Sequence, residues 1–204
     1  MDRLNVDEFG PQRHWRRSPV PAPCRVATGT RTIRQETCPR SRLQWNVTTS
    51  ETILNSQQLL DHWQGHRRLT RRLIEAFPED KLFSFSIGSM RPFSELIKEF
   101  LKMTEPIAHG VATGQWKEFG GDLDSLRTKQ ELLHSWDQAT EKLNTIWPTI
   151  PAHRFAEVDK AFGQWENTNI NTVLYGIDNE IHHRGQAYVY LRALEIDPPP
   201  FWER

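Results

Sequence analysis

Residues 175–204 read YGIDNEIHHRGQAYVYLRALEIDPPPFWER, and this stretch decides the fold. It has the pattern of one long helix closed by the proline block Pro198–Pro200. At about 100° per residue, Ile170, Val173, Leu174, Ile177, Ile181, Tyr188 and Leu191 fall in one sector, which is expected to face a core. Nearly opposite lie Thr172, Tyr175, Gly176, Asn179, His183, Gln186 and Tyr190. A purely solvated face would carry Lys and Glu. This one carries amides, an imidazole and phenols, groups that hydrogen-bond ligands or bind metals. Arg184 falls inside the apolar sector, where a buried guanidinium needs a carboxylate partner across a helix or subunit interface. Gly185 is expected to permit close helix contact.

Upstream, three further amphipathic segments share this signature. The first is expected to be capped by Thr49 or Ser50 and to run to Phe77, with Ile53, Leu59, Leu60, Trp63, Leu69, Leu73 and Ile74 as its apolar stripe. A loop over 79–91 leads to Pro92, which opens a second helix bearing Phe93, Leu96, Ile97, Phe100 and Leu101 and ended or kinked by Pro106. After an irregular connection containing Gly120-Gly121, Thr128 and Glu131 form a capping box for a third helix that stops at Pro148. The segment 151–167 is a crossover without a legible conformation, and Thr168 or Asn169 caps the last helix. Four long amphipathic helices and no convincing strand specify an all-α protein, a four-helix bundle, in which sites are built from inward side chains on facing helices.

Residues 48–204 carry this pattern, and 1–46 are different material. The chain has 26 basic and 26 acidic residues in its 204. Residues 1–43 hold nine arginines, no lysine and four acids, so the remainder carries 17 basic against 22 acidic residues. Prolines at 11, 19, 21, 23 and 39 and the lack of any period predict a disordered tail. A transit peptide is disfavoured by those prolines and the early acids, and Arg16-Arg17 lacks the apolar run of a twin-arginine signal. A start site assigned too far upstream would also account for the segment. Cys24 and Cys38 both lie there, without metal-ligand spacing. With no apolar run of about 18 residues, the expectation is a cytoplasmic protein with no membrane partner. A net-acidic folded part without a basic stripe excludes nucleic acid as a partner.

His182-His183-Arg184-Gly185-Gln186, then Tyr190-Leu191-Arg192 and the terminal proline element, resemble the HHRGQ…YLR signature of the DinB/YfiT-like family of metal-dependent four-helix proteins. Trp63 followed by Arg67 and Arg68, and the Phe93-Ser94-Glu95-Leu96 opening of the second helix, extend the likeness across 48–204. The resemblance implies an up-down-down-up bundle, often a homodimer, with one divalent ion held by a histidine of the second helix and two histidines four apart on the last. Carried over residue by residue, those positions are Glu99, Asn179 and His183, so one histidine of three remains. A carboxylate can still ligate, whereas a neutral amide is a poor donor to zinc or nickel, and oxygen donors favour harder ions such as manganese.

Two functions follow. In the first, the protein is an enzyme of the thiol-transferase-like superfamily: Glu99, Asn179 and His183 bind the ion, while Gln186, Tyr190 and His62 orient a small-molecule thiol. Without the ion, His183 serves as base, oriented by Glu99. The alternative is a metal-free bundle binding a small molecule or a partner, in which Glu99, Asn179 and His183 form a hydrogen-bonded cluster in a relict site. His62 and His66, four apart on the first helix, could chelate a metal, or belong to a basic solvated face with Arg67, Arg68, Arg71 and Arg72. His182 is expected to bond at the surface near Asp178. Trp147, Trp165 and Trp202 are expected to pack rather than to offer stacking surfaces.

Overall fold

A computed structural model describes residues 53–117 and 123–204. The Arg- and Pro-rich segment 1–46, the two cysteines, the caps expected at Thr49 or Ser50 and the Gly120-Gly121 pair lie outside the described residues. Four long helices form the bundle: α1 (Ser56–Ala76), α3 (Phe93–Thr113), α4 (Lys129–Ile146) and α5 (Asn169–Ala193). A single-turn α2 (Glu79–Leu82) follows α1. Between α4 and α5 lie two 3₁₀ turns and an antiparallel hairpin, β1 (Val158–Ala161) and β2 (Trp165–Thr168), with Val158 opposite Thr168 and Ala161 opposite Trp165. Among the described residues, no helix is long and apolar enough to cross a membrane.

The helix ends follow local chemistry. Asn55, not an earlier residue, caps α1: its side chain accepts from Gln58 N at 2.8 Å and Gln58 answers to Asn55 N at 3.0 Å. Ile53 therefore precedes the helix and is 97 % exposed, outside the stripe expected for it. The Thr128–Glu131 capping box forms as the sequence predicts. Pro106 lies inside α3 and does not end it, although its missing N–H leaves one carbonyl a turn earlier without its helical donor. Thr168 occupies the N-cap position of α5, yet its hydroxyl makes no cap bond.

The core is two apolar clusters with a polar layer between them. One contains Leu73, Ile74, Phe77, Phe93, Ile97, Phe100, Leu132, Trp136, Tyr190 and Leu191. The other contains Leu59, Leu60, Trp63, Met103, Ile107, Val111, Leu143, Trp147, Val173 and Ile177. Reading along each helix, α1 and α5 run from the second cluster to the first, and α3 and α4 run the other way. The bundle is thus up-down-down-up, with α1 and α3 each packed against both α4 and α5.

At the level where the clusters meet, all four helices contribute buried polar groups. The Arg67 guanidinium is 1 % exposed and donates to Thr140 Oγ1 (2.9 Å), Thr104 Oγ1 (2.9 Å) and the Trp136 carbonyl (3.1 Å), lying 4.0 Å over the Trp136 ring. Glu180, also 1 % exposed, accepts from Thr70 Oγ1 at 2.5 Å. Arg184 donates to Thr70 Oγ1 and the His66 carbonyl, each at 3.2 Å, and lies 3.6 Å from Glu180. Burial pushes the Glu180 carboxyl up, opposed chiefly by the charge of Arg67, and burial lowers the Arg67 guanidinium to about 10. The carboxylate expected for Arg184 is therefore on its own helix, one turn away.

This layer also corrects the facial reading of α5. Thr172, Gly176, Glu180 and Arg184 share the inner face with Val173, Ile177 and Leu191, so Leu174 and Ile181 are displaced to the flank and left exposed. Close contact occurs at Gly176, where an added Cβ would sit 2.8 Å from Ile107 Cδ1. Around Gly185 there is open space, not the helix contact expected there. Trp147 packs in the core, but Trp165 and Trp202 are exposed, contrary to expectation.

The layer should behave as one unit. Arg67→Met, which removes three buried hydrogen bonds and leaves Glu180 with one cation fewer, is expected to cost about 3–5 kcal/mol in urea denaturation. The double variant with Glu180→Met should lose clearly less than the sum of the two singles.

Candidate functional site

The phase that turns Glu180 and Arg184 inward turns their neighbours Asn179 and His183 toward α3, one turn apart on α5. Glu99 meets them from α3. Its Oε1 accepts from Asn179 Nδ2 at 2.9 Å and lies 3.4 Å from His183 Nε2. Its Oε2 accepts from Arg91 Nη2 at 2.6 Å. Arg91 is held in turn, because Tyr190, fully buried, donates its hydroxyl to the Arg91 carbonyl at 2.9 Å. The structure thus brings together the three residues chosen from sequence and adds a fourth, Arg91, that carried no sequence signal.

The other candidates have separate places. Gln186 Oε1 lies 3.4 Å from His183 Nδ1, and its Nε2 lies 3.4 Å from His182 Nε2, so it bridges the paired histidines. His182 is thus paired with Gln186, where Asp178 was expected. Tyr190 is a buried tether with no surface to offer a substrate. His62 is exposed on α1 with its ring edge-on to His66 at 4.6 Å, outside the Glu99 group. His66 itself is buried, with Arg184 Nη2 2.8 Å from one ring nitrogen and Arg204 Nη1 3.0 Å from the other. Burial, then the charge of Arg184, lower its imidazole to about 3, so it is a neutral structural group.

Burial raises the Glu99 carboxyl, but the hydrogen bonds from Asn179 and Arg91 and the charges of Arg91 and His183 together outweigh it. The carboxyl is left below the usual range and ionised at neutral pH.

This donor set does not fit a tightly held transition metal. The amide presents N–H to Glu99, and reversing it would set two oxygens 2.9 Å apart. The guanidinium N–H takes the second carboxylate oxygen. Protons therefore stand where ligand lone pairs would have to converge on a metal ion, and Arg91 already pairs with the carboxylate. Among the described residues, no three of His, Cys, Asp and Glu are grouped to hold a metal ion.

Beside Glu99 opens a cleft of about 300 Å³, lined by Glu99 and Met103 of α3, Ala161, Phe162, Trp165 and Asn167 of the hairpin, and Thr172 and Tyr175 of α5. Asn179 and His183 are not among the lining residues. The hairpin wall is latched by Asp159, whose Oδ2 accepts from Trp116 Nε1 (3.1 Å), Asn169 Nδ2 (3.2 Å) and Arg154. Arg154 also donates to the Val111 carbonyl at 2.8 Å, tying the hairpin to the end of α3. The crossover had no legible conformation in sequence. Its one usable signal was Phe162-Gly163 between short segments, where both residues adopt positive φ (53° and 70°) in a tight turn.

Comparisons with known proteins agree with the fold. The DinB family profile matches residues 47–203. An uncharacterised Bacillus subtilis protein, YjoA, is 25 % identical over 155 residues, spanning 74 % of this chain and 99 % of its own. The crystal structure of YjoA, a DinB-like protein, superposes with a TM-score of 0.56 at 21 % identity, covering 72 % of this chain and 99 % of YjoA. A DinB-like protein from Bacillus cereus gives 0.59 at 12 % identity, covering 71 % and 95 %. A variant of mycothiol-dependent maleylpyruvate isomerase gives 0.53 at 12 % identity, covering 65 % of this chain and 61 % of the isomerase.

Because the Glu99 carboxyl is depressed in the fold, its partners stabilise the protein above the ordinary carboxyl range, and that stability is lost as pH falls through the lower folded value. A carbon-detected NMR titration should place the Glu99 midpoint below that of a free glutamate. Arg91→Ala and Asn179→Ala should each move the midpoint upward.

Proposed function

This chain belongs to the DinB family, and from that premise we propose that it is a metal-free, small-molecule-binding member whose ligand enters the cleft between α3, α5 and the hairpin. The observation that carries the reading is the occupation of Glu99: Asn179 holds one oxygen and Arg91 the other, by N–H donors that a metal ion would have to displace. The Glu99 position is then a hydrogen-bonded cluster in which Asn179 Oδ1 stays buried without a partner among the described residues, and Glu99 forms the charged floor of the adjacent cleft.

The metal-dependent, thiol-directed reading draws support from one neighbour, whose name describes a mycothiol-dependent isomerase, but that likeness is one of fold. His183, the base such chemistry would use, lies behind Glu99 and not along the cleft wall. A self-associating surface remains part of the proposal, with Ile181 and Val189 exposed on α5 and Phe201 and Trp202 exposed beyond its end.

Calorimetric titration of the untagged full chain with zinc, nickel and manganese tests the reading. The expected result is no saturable uptake tighter than about micromolar, and no difference between wild type and His183→Ala. Near-stoichiometric tight binding that His183→Ala abolishes would sink the metal-free reading.

A further inference from the structure

The cleft beside Glu99 has a chemistry of its own. Three aromatic rings from two chain segments surround it: Phe162 and Trp165 of the hairpin and Tyr175 of α5. Phe162 and Trp165 meet edge to face, with centroids 5.9 Å apart and planes at 78°. Trp165 is 55 % exposed and Tyr175 61 % exposed, so packing against the protein does not account for their being there. Phe162 is the opposite case. It holds φ at 53°, a region costly to any residue with a Cβ, and it is buried, 8 % exposed. The hairpin turn thus spends conformational energy to aim that ring inward.

Among the described lining residues the only charged group is the Glu99 carboxylate, with no Lys or Arg on the wall. Asn167 and Thr172 add neutral polar atoms, and Met103 adds a polarisable one. Aromatic rings beside a carboxylate favour positive charge over negative charge. The latch of Asp159 with Trp116, Asn169 and Arg154 holds the rings in place before any ligand arrives.

Resting on the reading of this cleft as the ligand site, we propose that it recognises an organic cation, specifically a quaternary ammonium group seated against Phe162, Trp165 and Tyr175 with Glu99 as its counter-charge. A quaternary group suits a carboxylate whose oxygens already accept hydrogen bonds, because it asks for charge and apolar contact and donates no N–H. The volume of about 300 Å³ admits a headgroup of this size with a short substituent. Arg91, outside the lining, competes for Glu99 and weakens the site.

The experiment uses the full chain and three probes of one shape: choline, its uncharged isostere with a tert-butyl group in place of trimethylammonium, and the carboxylate bearing that tert-butyl group. The readout is the indole N–H shift of Trp165, assigned by its loss in Trp165→Phe. Choline is expected to bind at least tenfold tighter than the neutral isostere, and the carboxylate to bind weakest. Glu99→Gln should remove the preference, and Arg91→Ala should tighten choline severalfold while leaving the neutral isostere unchanged. Arg91 is at the surface, so that variant keeps the test decisive even if Glu99→Gln fails to fold. Equal binding of choline and the isostere overturns the cationic assignment and leaves the ligand site standing. If no probe shifts Trp165, both the cationic assignment and the ligand site fail.

Discussion

A buried carboxylate between two buried guanidiniums governs this bundle. Glu180 cannot leave the interior without stranding Arg184 one turn later and Arg67 across the core, and neither arginine can move into the apolar clusters on either side. Such a layer need not add much net stability, since desolvation offsets much of the Coulomb attraction. What it fixes is register. Sliding or rotating α5 by one residue would carry Glu180 and Arg184 out of the polar layer and separate Thr70 from Glu180.

The site inherits that constraint. With Glu180 and Arg184 committed inward, Asn179 and His183 must face α3, where Glu99 is waiting. Here Asn179 donates to one carboxylate oxygen of Glu99, and Arg91 donates to the other and supplies a positive charge.

Much of this was legible in the sequence, for identifiable reasons. The Thr128 cap, the Pro148 stop and the apolar stripes of α1 and α3 are local signals, and the tertiary structure respects them. The grouping of Glu99, Asn179 and His183 followed from a motif whose spacing is set by one helix turn. The inner face of α5 was misread because periodicity counts apolar residues, and here Glu180 and Arg184 are buried around the Thr70 hydroxyl while Thr172 donates to the Thr168 carbonyl. Gly176 rather than Gly185 takes the close contact for the same reason, the rotation of that face. Arg91 and the hairpin were hidden because their roles depend on contacts far along the chain: Arg91 with Glu99 and Tyr190, and Asp159 with Trp116.

The cleft is where the Glu99 cluster and the hairpin meet, with Glu99 belonging to both. The measurement that tests this most directly is a crystal structure of the protein grown at neutral pH with zinc present, with data collected across the zinc absorption edge. The account predicts no anomalous peak at Glu99, with Arg91 on one carboxylate oxygen and Asn179 on the other. A zinc ion bound to Glu99 and His183, with Arg91 swung away, would contradict it.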